Sequence, residues 1–128
     1  MSEIFVLDAS ALLCLLQAEV GWDRVAKALP HSVISAVNLS EVIAKLADAG
    51  GTSLQIGAAL GALQLNVAPF DADHAHRAGL LRPATRGFGL SFGDRACLAL
   101  GLSQAATILT CDREWAKIQI GQVVELLR

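Results

Sequence analysis

This chain is poor in charge. Only 17% of its 128 residues are Asp, Glu, Lys or Arg, against 54% hydrophobic, and the formal net charge is −2. A protein that coats duplex nucleic acid by counterion release needs a large basic excess, so the charge argues against that class; it does not exclude an enzyme with a local basic patch. Cysteine is scarce too. Cys14, Cys97 and Cys111 are odd in number, lie in apolar runs and form no C-x-x-C pair. That argues against a disulfide framework or a zinc site and predicts buried thiols in a reducing cytoplasm. Glu3 stands where a signal peptide would carry its basic head, which again predicts a cytoplasmic protein. There is no internal repeat and no low-complexity segment.

Between Ala49 and Phe70 charge is missing altogether, yet Thr52, Ser53, Gln55, Gln64, Asn66 and Pro69 interrupt the run. A buried helix followed by a strand is expected there, not a membrane span. The length suits one domain, residues 1–128, able to bury a core without disulfides or structural metal. The apolar content exceeds what one small core readily hides, so a permanent partner is expected, either a second copy or a different protein.

Along the chain, short apolar runs at 4–7, 31–36, 63–70, 106–111 and 122–127 read as strands. Between them, 10–17, 22–29, a segment capped by Ser35 or Asn38 and running to 49, 52–63, 71–81, 91–105 and 113–117 read as helices. The stretch "RPATRGFGL" has loop composition. Alternation of this kind predicts an α/β fold with a mostly parallel sheet wrapped by helices.

Asp8, in "FVLDASALLCLL", and Asp112, in "ILTCDREW", each fall at or just past the C-terminal end of an expected strand. In open parallel sheets that edge binds ligands. Each acid also has a purely structural reading. Asp8 and Asp112 suit helix caps, Ser91 to Asp94 matches a capping box, and a helical projection sets Glu41 opposite Leu39, Val42, Ile43 and Leu46 as a solvated side chain. Their joint placement favours a second reading. Carboxylates crowded at one sheet edge either take up protons or are held by a hard cation, and oxygen donors without His or Cys point to Mg²⁺ or Mn²⁺.

The four stretches "FVLDASALL", "NLSEV", "LSFGDRACLALG" and "ILTCDREW" resemble, in order and context, the acidic motifs of the PIN domain, and in particular the VapC-type toxins of bacterial toxin–antitoxin pairs. The resemblance spans nearly the whole chain. It implies a three-layer α/β/α fold with a short, mostly parallel central sheet, and a metal-dependent endoribonuclease whose acidic quartet is Asp8, Glu41, Asp94 and Asp112. It implies a homodimer and a small inhibitory antitoxin. Ser10, Asn38 and Thr110 match polar positions beside the acids, and Cys111 stands where many relatives carry Thr or Ser.

On this reading Asp8 and Asp94 hold Mg²⁺ or Mn²⁺ directly, with Glu41 and Asp112 acting through water, and Ser10, Asn38 and Thr110 support them. Arg82, Arg86, Arg95 and Arg113 fall in the loop or beside the motifs, and of these Arg86, Arg95 and Arg113 are the expected phosphate contacts. Arg77, Lys27, His74 and His76 are expected at the surface. Phe88 is expected to pack, and Trp22 and Trp115 to anchor a core or an interface. Two other classes compete: a catalytically silent PIN-like module that docks a partner, and a haloacid-dehalogenase-type phosphatase, which needs a D-x-D that Ala9-Ser10 does not supply.

Overall fold

Five short strands form a single sheet in the computed structural model, which describes residues 3–128. They are β1 (Phe5–Leu7), β2 (Ser32–Ser35), β3 (Val67–Ala68), β4 (Thr107–Thr110) and β5 (Val123–Leu126), in the spatial order β3-β2-β1-β4-β5. Every pairing is parallel. Seven α-helices connect and cover them: α1 (Ala9–Leu16), α2 (Trp22–Ala28), α3 (Ala36–Asp48), α4 (Ser53–Gly61), α5 (Ala72–Leu80), α6 (Arg82–Thr85) and α7 (Phe92–Ser103). Short 3₁₀ turns lie at Leu29–His31, Arg86–Phe88 and Arg113–Lys117.

The period-two geometry of strands explains the layering. Val6 pairs in register with Val33 and Ile108, and these three join Cys97, Leu98, Leu100 and Trp115 in one buried cluster. Leu7 pairs with Ile34 and Leu109, and these enter a second cluster with Phe5, Leu12, Val25 and Val42. The sheet thus separates two apolar layers, the α/β/α arrangement expected. On the first side α7 lies very close to β4: a Cβ at Gly101 would sit 2.5 Å from Ile108. At the far edge Arg24 of α2 forks onto Glu125 of β5 at 2.6 and 3.0 Å and stacks over Phe5, 4.8 Å from the ring centre.

Three expectations need correcting. The uncharged segment after Gly51 forms a helix, but α4 buries only Ile56 and leaves Leu54 84% exposed. Among the described residues no second layer covers its Ala and Gly positions, so low charge alone does not imply burial. The "RPATRGFGL" segment is not irregular: Pro83 fits the first turn of α6, where its missing N–H costs nothing, and the buried Thr85 hydroxyl donates to the Leu81 carbonyl at 2.8 Å. Cys111 is half-exposed, whereas Cys14 and Cys97 are buried as expected. Among the described residues no helix is long and apolar enough to cross a membrane.

Candidate metal centre

The chain leaves β1 towards β2 and β3 on one side and returns through β4 and β5 on the other. The C-terminal ends of β1 and β4 are therefore the topological switch point, where side chains meet outside the sheet. Asp8 follows β1 there and caps α1, with its Oδ1 accepting from the Ala11 amide at 2.8 Å and the Ser10 hydroxyl at 2.6 Å. Oδ2 accepts from the Thr110 hydroxyl at 2.5 Å. The two hydroxyls accept in turn from consecutive backbone amides at 3.0 Å, Ser10 from Cys111 and Thr110 from Asp112. Each N–H thus feeds a hydroxyl that feeds one oxygen of Asp8, a chain in which each bond polarises the next.

Burial pushes the Asp8 carboxyl above its ordinary value, hydrogen bonds from Ser10, Thr110 and Ala11 work against the rise, and the charge of Asp94 adds to it. A capping role alone does not require this burial. Asp94 completes a capping box, accepting from the Ser91 amide at 2.9 Å while Ser91 accepts from the Asp94 amide at 3.1 Å. The capping residue is thus also a carboxylate whose charge acts on Asp8.

Glu41 is half-buried rather than solvated. Asn38, 1% exposed, donates through Nδ2 to Glu41 Oε1 at 2.8 Å and to the Gly93 carbonyl at 2.9 Å. A Cβ on Gly93 would fall 2.4 to 2.6 Å from the Glu41 carboxylate. The helical projection misplaced Glu41 because α3 packs a second face against the start of α7, and only glycine permits that approach. One turn after Asp94, the thiol of fully buried Cys97 is pushed well above its ordinary value, first by burial and then by the charges of Asp8, Asp94 and Glu41. Three carboxylates from three elements thus lie near enough to Cys97 for their charges to act on its thiol.

Asp112 stands apart. It is exposed, and its Oδ1 caps the last 3₁₀ turn by accepting from the Glu114 amide at 3.0 Å. Its link to the others is through the backbone and Thr110. Among the described residues, the trio whose ligand atoms all lie within 4.8 Å of one another is Asp71, Asp73 and His74, not any three of the quartet. Those three have local roles: Asp71 caps α5, Asp73 pairs with Arg77 at 2.8 Å, and the His74 ring meets the Pro69 carbonyl at 2.9 Å.

The donor set of Asp8, Glu41 and Asp94 is all oxygen, the chemistry a hard divalent cation takes. Beside Glu41, the buried Asn38 Oδ1 has no hydrogen-bond partner, the kind of orphaned acceptor that water on such a cation satisfies. These residues fit Mg²⁺ or Mn²⁺.

The expected phosphate contacts lie around the rim. Arg95 is half-buried, with Nη1 donating to the Leu90 carbonyl at 3.1 Å; Arg113 is exposed and donates to the Arg128 carbonyl at 3.4 Å; Arg82 and Arg86 are exposed. Phe88 packs on the core, and Trp115 is a core residue while Trp22 is 46% exposed. Sequence reasoning missed Gly93 and Phe92. Gly93 immediately precedes an acid in the first turn of a helix, a place for close packing that could have been noticed. Phe92 is 52% exposed and meets Phe70 edge to face, with ring centres 5.3 Å apart.

The family model of the PIN domain matches residues 5–121. No protein of curated function matches the chain in sequence. Among solved structures, that of VapBC2 from Rickettsia felis bound to a DNA fragment from its promoter is similar, with TM-score 0.78 and 17% identity over 96% of this chain and 98% of that one. A toxin-antitoxin complex from Klebsiella pneumoniae gives TM-score 0.75 and 21% identity over 99% of this chain and 98% of that one. VapBC-5 from Mycobacterium tuberculosis gives TM-score 0.66 and 24% identity over 99% of each.

Proposed function

The chain belongs to the PIN domain family, and from that premise we propose that it is a metal-dependent endoribonuclease, the VapC-type toxin of a toxin–antitoxin pair, acting as one domain over residues 1–128 in the cytoplasm. The observation that carries the reading is the placement of Asp8 at the switch point of the sheet, with Glu41 packed on Gly93 beside Asp94 at the start of α7. A bound Mg²⁺ or Mn²⁺ supplies charge neutralisation at the scissile phosphate and an activated water.

The protein's part is to hold that cation and the RNA. Asp8 and Asp94 would hold the cation directly, and Glu41 and Asp112 would act on it through water. Ser10 and Thr110 fix both oxygens of Asp8, and Asn38 fixes Glu41, so the carboxylates are oriented before substrate arrives. Arg95, Arg86 and Arg113 meet phosphate oxygens around the rim.

A homodimer and a small antitoxin complete the reading. The similar structure from Klebsiella pneumoniae is a toxin–antitoxin complex and that from Mycobacterium tuberculosis a member of the VapBC family of toxin–antitoxin systems, and this chain leaves Leu54, Val20, Leu80 and Phe92 more than half exposed. A basic side chain of the antitoxin entering the acidic pocket is the expected means of inhibition.

The test is cleavage of total RNA by the purified chain with Mg²⁺ or Mn²⁺, with chelator, and with Asp8→Asn or Asp94→Asn, followed by mapping of new ends. Discrete ends that vanish in chelator and in both folded variants are expected. Wild-type cleavage by either variant would overturn the site. The exposed apolar face of α4 favours the second reading, a silent docking module, which requires no cleavage of any RNA and no stabilisation by metal.

A further inference from the structure

Cys14 and Cys111 lie 97 positions apart in sequence, and their side chains come near enough in the fold to act on one another. Cys111 Sγ is 4.0 Å from the carbonyl of Ser10, the residue one helical turn before Cys14, and the Cys111 amide donates to the Ser10 hydroxyl at 3.0 Å. Arg128 at the last position of the chain donates through Nη1 to Cys14 Sγ at 3.6 Å. Cys14 is fully buried and Cys111 half-exposed, while Cys97 lies fully buried among the carboxylates. One thiol is open to reagents, and a second waits behind it.

We propose that Cys14 and Cys111 are a dithiol modification site that closes to an intramolecular disulfide when a low-molecular-weight disulfide is present, fastening α1 to the end of β4. The exchange balances as two steps. The Cys111 thiol loses its proton and its sulfur attacks one sulfur of the reagent. The reagent's S–S bond breaks, one thiolate leaves and takes up a proton, and Cys111 carries a mixed disulfide. The Cys14 sulfur, losing its proton, then attacks the Cys111 sulfur and expels the second half of the reagent as a thiol. Two cysteine thiols are oxidised by two electrons, and one reagent disulfide is reduced to two thiols.

Both steps suit the site. Burial pushes the Cys14 thiol up and hides it, so the first attack falls to half-exposed Cys111; the mixed disulfide then presents its electrophilic sulfur to Cys14. The bond would join the same two segments whose hydroxyls, on Ser10 and Thr110, grip Asp8. It follows that oxidation stiffens the support of Asp8 without touching the carboxylate.

The reduced protein is incubated with oxidised glutathione, alkylated without reduction, and followed by intact mass, peptide mapping and melting temperature. The expected product has lost about 2 Da, the two thiol hydrogens, and holds one cross-linked peptide pair containing Cys14 and Cys111. Its melting temperature rises by roughly 5–15 °C, because the bond closes a long loop of the unfolded chain. Cys97→Ala, though it melts lower from the start because a core side chain is cut back, should show the same mass loss and the same upward shift on oxidation. Cys111→Ser, at the half-exposed member, should keep its fold and show neither the mass loss nor the thermal shift. Cys14→Ala should stop at a glutathione adduct on Cys111. A wild type that stops at that adduct, that links Cys111 between two copies, or that forms the bond only in denaturant would overturn the proposal.

Discussion

Thr110 Oγ1 donates to Asp8 Oδ2 at 2.5 Å, joining residues 102 positions apart at the ends of neighbouring parallel strands. The same hydroxyl accepts the Asp112 amide at 3.0 Å. One buried oxygen thus aligns the innermost carboxylate with the turn that carries the outermost. Thr110→Val keeps the shape and removes the hydroxyl, leaving a buried carboxylate oxygen and an amide unpaired. A loss of about 1–3 kcal/mol by urea denaturation is expected, with RNA cleavage falling by roughly 10–100-fold as for lost support of a metal ligand. Thr110→Ser should recover most of both.

Asp8 sets a pH dependence whose sign is opposite to that of a salt-bridged acid. Burial raises its folded-state value above the ordinary 3.8, so between the two the folded state binds more protons than the unfolded chain. In chelator, this group's contribution to stability falls as pH rises through that window. Asp8→Asn removes the dependence. Urea titrations from pH 3 to 7 should therefore show a stability difference between variant and wild type that shifts in the variant's favour as pH rises; parallel profiles would mean that Asp8 is not burial-shifted.

Asp94 caps α7 and its charge acts on Asp8, and the two roles predict different responses to metal. Losing the cap in Asp94→Ala costs about 0.5–2 kcal/mol with or without metal. Relief of the repulsion on Asp8 offsets part of that cost only in chelator. Wild type should melt higher in millimolar Mg²⁺ or Mn²⁺ than in chelator, since binding to the folded state alone stabilises it. The variant should gain much less. Equal metal shifts in the two proteins would reduce Asp94 to its cap.

Gly93→Ala tests the contact between α3 and α7. The added Cβ would meet the Glu41 carboxylate at 2.4 to 2.6 Å, so the flexible Glu41 side chain must turn away and release Asn38. A thermal or urea measurement should show a cost of about 1–3 kcal/mol, typical of overpacking. Metal affinity and cleavage should fall together, by roughly 10–100-fold. Gly57→Ala, where a Cβ meets nothing within 4 Å, is the control and should leave both unchanged.

Short-range features were legible in the sequence because their hydrogen bonds close within a few residues. Asp8 capping α1 and Ser91 with Asp94 both form as their spacing predicts. Ser35, not Asn38, caps α3, since Asn38 is drawn to Glu41 and Gly93 instead. Alternating apolar runs likewise specified a parallel sheet covered on both faces, because each short strand presents hydrophobic residues to both sides.

What only the tertiary structure decided depends on which strands and helices become neighbours. The order β3-β2-β1-β4-β5 sets Thr110 on Asp8 and Cys111 beside Cys14, pairings that no local spacing encodes. The approach of α7 to α3 through Gly93 turned Glu41 from a solvated position into part of the acidic cluster. The exposure of α4 was equally hidden: its low charge satisfies a buried and an uncovered helix alike, and the difference lies in whether another layer of this chain reaches it. Residue type and spacing determine which bonds a segment can make with itself; the packing of distant segments determines which carboxylates meet, what supports them, and which apolar faces are left for a partner.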